Sequence, residues 1–255
     1  GGRAAVHVVE AWCNDLSLTL ATRQVEDKEN EIVAIPMIIK ELEIENCVVS
    51  IDAIGCQKDI ASDIRRRRAN YLLGLKGNHP GFLEEVSAAF GEHGAACGGT
   101  RFDEDYDMGH GRVEHRVTRV LPAEVLSCER LKGWEGIKSL ISVESERFSL
   151  SNDKAECQTR YYISSLEADA KTLQGYIRGH WGIENRLHYM LDVYWGEDES
   201  RKRNANTAAN FSVILRWAHN MTQKHPDKIS LKRKHGKADR TNHYREQILG
   251  LNNAN

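Results

Sequence analysis

The chain has 255 residues, of which 40% are hydrophobic and 28% charged, enough to bury a sizeable core in one large domain, or in one domain with an appendage, of ordinary globular composition. No apolar run approaches the roughly 20 residues that cross a bilayer, and the opening Gly1-Gly2-Arg3-Ala4-Ala5 has neither an initiator Met nor a signal-peptide pattern. The formal net charge of −2 hides an asymmetry: residues 1–200 carry 23 basic against 34 acidic residues, net −11, and residues 201–245 carry 12 against 2, net +10. A basic segment on an acidic body suits a polyanionic partner, or is simply a solvated tail.

In chain order, residues 5–12 (AVHVVEAW) read as a strand and 18–25 (LTLATRQV) as its hairpin partner, with Asn14-Asp15 in the turn. Residues 29–42 repeat apolar side chains at helical spacing, with Pro36 near the first turn. CVVSI at 47–51 is the short apolar run of a buried central strand and ends at Asp52. A helix over 58–68, closing on four arginines, and a strand over 71–75 follow. The order strand, strand, helix, strand, helix, strand describes an α/β sheet of mixed strand direction.

Residues 81–92 predict another helix, and 94–108 a glycine-rich, acidic loop. Three long runs, 111–121, 137–148 and 158–166, alternate in polarity and have no crossover helix between them, so they read as an antiparallel excursion inserted into the α/β domain. Helices are expected over 168–194 and 206–223, and from 224 the chain is basic and polar until 244–251. The six cysteines include no C-x-x-C pair, which argues against structural zinc or a disulfide framework and for reduced thiols in the cytoplasm. Cys47 and Cys56 read as ordinary buried cysteines.

Two acids stand out. Asp52 follows a buried strand directly, and ligands of open α/β sheets gather at the carboxyl ends of strands; an Asp there also commonly caps the next turn. On a helix, His180, Glu184, His188 and Asp192 fall four apart on one face, a polar row that is costly to bury unless it binds something. Glu184 is either a site residue or a surface partner of His180 or His188. Zinc between His180 and His188 fits poorly, since helical zinc histidines sit four apart and these sit eight apart. Lys76 and His79 lie just past the 71–75 strand as phosphate contacts or turn residues. Phosphate-binding glycine loops and the G-x-S-x-G elbow are absent from the sequence.

Ser50-Ile51-Asp52-Ala53, Tyr71-Leu72-Leu73-Gly74-Leu75-Lys76-Gly77-Asn78, Gly109-His110-Gly111-Arg112-Val113-Glu114, Tyr161-Tyr162-Ile163-Ser164-Ser165-Leu166 and His180-Trp181-Gly182-Ile183-Glu184-Asn185 resemble, in this order and nearly end to end, insertion-sequence transposases of the DDE class. The H-repeat-associated, Rhs-element-linked proteins of bacteria are the group resembled. The resemblance implies a ribonuclease-H-like mixed sheet flanked by helices, with an inserted antiparallel β region. It implies a catalytic domain over residues 1–222, with the β-rich insertion at 81–167, and a basic C-terminal segment at 223–255.

The activity implied is metal-dependent DNA cleavage and strand transfer by an Asp-Asp-Glu triad holding two Mg²⁺ or Mn²⁺ ions. Asp52 matches the second acid and Glu184 the third. His180, Asn185, Lys76, Arg201 and Arg203 become candidate DNA contacts. The implied partners are double-stranded DNA, as transposon ends and target, and further copies of the chain when active, with no membrane; the location is cytoplasmic, associated with the nucleoid. In this family the first acid sits in an Asp-Gly-Lys segment that would precede Gly1, so the chain is expected to be an N-terminally truncated and inactive form. The alternatives are a DNA-binding remnant without catalytic activity and a structural protein unrelated to DNA.

Overall fold

The computed structural model describes residues 7–25, 31–93, 99–107, 112–149, 154–197 and 205–251. The chain divides into two compact units, residues 35–180 and residues 1–34 with 181–255. No helix among the described residues is long and apolar enough to cross a membrane.

The 35–180 unit is built on one six-stranded mixed sheet. Its strands are β3 (Val48–Ile51), β4 (Asn70–Leu75), β5 (Thr100–Asp107), β6 (Arg112–Pro122), β7 (Ser139–Ser149) and β8 (Lys154–Ser164), in the spatial order β3-β4-β8-β7-β6-β5. β3 and β4 are parallel, with Ser50 opposite Leu72, and every other pair is antiparallel. The chain reaches β3 from α1 (Glu31–Glu41), which begins before the boundary between the units, and the β3–β4 crossover runs through α2 (Lys58–Arg66). The expected mixed α/β sheet with antiparallel strands is present, and those strands extend the sheet that β3 and β4 begin.

Helices cover both faces. α5 (Ala170–His180) lays Leu173 and Ile177 on Leu72, Ile141, Val143 and Tyr162. α3 (Pro80–His93) covers the other face, where Phe90 packs on Tyr161 and Ser87 Oγ lies 2.9 Å from the Tyr161 hydroxyl. A short α4 (Cys128–Leu131) precedes Trp134, which is buried against Phe82 and His79. The arginine run that closes α2 is structural: Arg65 donates to Ala69 O and Asn70 Oδ1, Arg66 pairs with Asp63, Arg67 donates to Lys40 O and Leu42 O, and Arg68 pairs with Glu45.

The other unit begins with the antiparallel hairpin β1 (His7–Cys13) and β2 (Leu18–Val25), which turns at Asn14–Ser17 and carries a bulge at Ala11/Trp12. A π-helical turn (Glu184–His188) leads into α6 (Tyr189–Val193), and α7 (Ala205–Lys224) follows. Asn220 of α7 closes two hydrogen bonds on Thr19 of β2, at 2.9 and 2.7 Å. Leu187, Leu191 and Leu215 are buried with Trp12, Ile183, Trp195 and Phe211 around them. α8 (Leu231–Arg240) and α9 (Asn242–Ile248) complete the unit.

Four expectations are corrected. The acidic loop contains β5, whose α5-facing positions are polar or aromatic: Thr100 Oγ1 accepts from Ala170 N, Phe102 packs in the core, and Glu104 accepts from Gln174 and Arg178. The antiparallel ladder with β6 makes this segment a strand, and α5 supplies partners for its polar side chains in place of apolar alternation. The 168–194 helix is interrupted, with α5 ending at His180 and a π turn following. The basic stretch after 224 contains α8, capped by Ser230, whose hydroxyl accepts from Arg233 N at 3.4 Å. Cys56 is buried as expected, but Cys47 is exposed because it precedes the strand proper.

Candidate active site

In the 35–180 unit, Asp52 stands at the carboxyl end of β3. It heads a short 3-10 turn (Ala53–Gly55), yet its side chain makes no capping hydrogen bond. The turn is held from elsewhere: Asn78 Nδ2 donates to Ala53 O at 2.6 Å and His79 Nε2 to Cys56 O at 2.6 Å. His79 therefore has a structural role, and the exposed Asp52 carboxylate is left out of the turn. Asp52 remains extended, at φ −69 and ψ −177, so the strand's alternation continues through it. Val48 and Leu72 face α5, which places Ser50 and Asp52 on the same side.

His180, the last residue of α5, has its Nδ1 3.2 Å from Ser50 Oγ. It is thus held at the end of β3 on the Asp52 side of the sheet. Gly74 explains how the neighbouring strand tolerates Asp52: a Cβ there would lie 3.2 Å from Ala53 N and 3.4 Å from the Asp52 carbonyl carbon. Lys76 follows one residue after β4 ends and is exposed.

In the other unit, Glu184 opens the π turn, where Tyr189 N–H bonds back to Glu184 O with i→i+5 spacing. Ile183 packs into the core beside Glu184, and Trp181 stays 42% exposed. Glu184 Oε2 lies 3.1 Å from His188 Nδ1. The other ring nitrogen of His188 lies 3.3 Å from Oε2 of Glu10, a carboxylate on β1 with only 4% of its side chain exposed. Arg216 of α7 donates to the second Glu10 oxygen and to Glu197.

This network sets the charges. The hydrogen bond to Glu10 pushes the His188 pKa up to about 9 against the opposing effect of burial, and Glu184 adds to the rise. Both ring nitrogens are then protonated near neutral pH and both donate. Burial works to raise the Glu10 pKa, but the hydrogen bond from His188 and the charge and hydrogen bond of Arg216 hold it below its ordinary value.

Sequence reasoning placed His180, Glu184 and His188 in one row. Within the 35–180 unit His180 meets Ser50 of β3, and within the other unit Glu184 pairs with His188. Asn185 lies in the π turn with its side chain outside the described residues, as are Arg201 and Arg203. Glu10 and Arg216 were missed. Their signal was present: position 10 shares its strand face with the core residue Trp12, so an acid there needs a buried cation. Among the described residues no group of three or more His, Cys, Asp and Glu side chains lies close enough to hold a metal ion. Asp52 and Glu184 do offer exposed carboxylate oxygens, hard donors of the kind that suit Mg²⁺ or Mn²⁺.

The chain matches the family described as Transposase DDE domain over residues 11–221. It is 37% identical over 254 residues to YncI of Escherichia coli O157:H7, which carries a transposase name, covering 97% of this chain and 64% of YncI. It is 35% identical to the protein YbfL of Escherichia coli K12, over 97% of this chain and 66% of YbfL. The H repeat-associated, transposase-named YhhI of the same strain is 34% identical, with coverage of 97% and 66%. The chain spans about two thirds of the length of these relatives.

Proposed function

This chain belongs to the transposase DDE domain family, and from that membership we propose that it serves metal-dependent cleavage and transfer of DNA strands, with Asp52 and Glu184 as metal-holding acids. The observation that carries the reading is Asp52 itself: an exposed carboxylate at the end of a central strand, released from the turn it heads. Glu184 is supported by its setting, a π turn of the kind frequent at functional sites.

The chain's own residues would divide the work. Asp52 and Glu184 supply oxygen ligands. Lys76 and His180, with Asn185, Arg201 and Arg203, would contact DNA, Lys76 from the end of β4 and His180 from its place beside Ser50. Residues 223–255 would neutralise phosphates outside a catalytic domain spanning 1–222, of which 81–167 would be the inserted part. Two Mg²⁺ or Mn²⁺ ions, when bound, would activate the attacking water or hydroxyl and stabilise the leaving oxygen. The partners would be double-stranded DNA and other copies of the chain, in the cytoplasm at the nucleoid.

Calorimetric titration with Mn²⁺ and duplex binding across salt concentrations test this together. Mn²⁺ binding is expected to be lost in Asp52→Ala and in Glu184→Ala, and duplex affinity to fall steeply with salt. Salt-dependent duplex binding with no Mn²⁺ binding would leave a DNA-binding protein without chemistry. Salt-insensitive affinity, or no DNA binding at low salt, contradicts the whole reading.

A further inference from the structure

We propose that His188 is a positioning residue for Glu184, fixing the exposed carboxylate through one ring nitrogen while the buried Glu10 anchors the other. The proposal rests on the reading of Glu184 as a metal-holding acid.

A Glu–His pair four apart on a helix is ordinarily a weak surface contact worth a few tenths of a kcal/mol. Three features set this pair apart. Glu10 is buried, and a buried carboxylate must be satisfied on both oxygens. Arg216 takes Oε1, and His188 takes Oε2 at 3.3 Å. The imidazole is therefore bound from the interior, and its Nδ1 direction follows from that anchor. Arg216 is itself clamped, since it also donates to Glu197 and to Ser212 O at 3.2 Å. Finally, the π turn places Glu184 and His188 at its two ends, where their side chains meet at 3.1 Å.

Glu184 is 57% exposed and would otherwise sample many rotamers. With Oε2 engaged by Nδ1–H, Oε1 is the oxygen left to meet a metal. Hydrogen-bonding partners that orient ligating carboxylates typically account for roughly 10–100-fold in metal affinity.

Two measurements on the full chain decide this. In metal-free protein labelled with ¹⁵N at histidine, Glu184→Gln is expected to shift the Nδ1 resonance of His188, and Glu10→Gln its Nε2 resonance. In Mn²⁺ titration, His188→Ala is expected to weaken binding by roughly 10–100-fold. His188→Asn, which keeps a donor at the Nδ1 position, should recover most of that loss. An unmoved Nδ1 resonance in Glu184→Gln overturns the proposal, as does an Asn variant no better than Ala. Loss of Mn²⁺ in Glu184→Gln with unchanged binding in His188→Ala overturns the positioning role and leaves the metal reading standing. Mn²⁺ affinity untouched by Glu184→Gln overturns both.

Discussion

His188 Nε2 and Glu10 Oε2 lie 3.3 Å apart although 178 residues separate them in sequence. This contact and the Arg216–Glu10 pair tie β1 to the π turn and to α7. Removing the acid takes from Arg216, with 8% side-chain exposure, one of its two carboxylate partners and takes from His188 its interior anchor. Glu10→Ala is therefore expected to destabilise the protein by about 3–5 kcal/mol, the usual consequence of breaking a buried pair on one side. Urea denaturation checks this. A loss below about 1 kcal/mol, as for an exposed pair, would contradict the burial argument.

The same pair predicts a pH profile. The folded-state pKa of His188 lies above its ordinary 6.5, at about 9, so its contribution is complete below pH 6.5 and is lost as pH rises through 9. The folded-state pKa of Glu10 lies below its ordinary 4.5, so its contribution is present above that pH and is lost on acidification through the lowered value. Stability from the pair should be greatest between pH 4.5 and 6.5. Thermal melts from pH 6 to 10 of metal-free wild type should fall more steeply than those of His188→Gln, and parallel curves would count against the assignment.

Gly74 is expected to matter to Asp52 more than to the sheet. A valine there must push on Ala53 N and on the Asp52 backbone, since even its Cβ would stand 3.2 Å from the former. Gly74→Val should cost about 1–3 kcal/mol by overpacking and also weaken Mn²⁺ binding, because the displaced atoms belong to the proposed ligand. Unaltered Mn²⁺ affinity in a variant that stays folded would separate Gly74 from the site.

The basic α8 makes two kinds of lysine available. Lys234 is buried, with its ammonium 2.6 Å from His225 O and 3.3 Å from Thr222 O at the end of α7. Lys232 and Arg233 are exposed. Removing one phosphate-neutralising side chain should reduce the salt slope of duplex binding by about 0.9, so Lys232→Gln and Arg233→Gln are expected to flatten it. Lys234→Gln should leave the slope alone but destabilise by about 1–3 kcal/mol, through loss of hydrogen bonds from a charged group. Equal slopes in all three variants would remove α8 from the DNA-binding surface.

Elements that announce themselves by apolar period were legible in the sequence: the β1–β2 hairpin, β3, β4 and α7 all fall close to their expected bounds. β5 and α8 were not, because each is stabilised from outside its own segment. β5 depends on Thr100, Phe102 and Glu104 meeting α5, and α8 on Lys234 reaching the end of α7 and on His235 packing against Trp195 at 4.6 Å. For the site, Asp52 at a strand end and Glu184 beside His188 were visible as local patterns. Ser50 beneath His180 and Glu10 behind His188 were not, since both contacts join segments more than a hundred residues apart.

Iron-directed backbone cleavage tests the metal reading most directly. Fe²⁺ accepts carboxylate oxygen as well as imidazole nitrogen, and with ascorbate and peroxide it cuts polypeptide next to where it is bound. The expected result is cleavage adjacent to both Asp52 and Glu184, suppressed by excess Mg²⁺ and absent in Asp52→Ala and Glu184→Ala. Cleavage elsewhere, or fragments that persist in both variants, would contradict the assignment of these two acids.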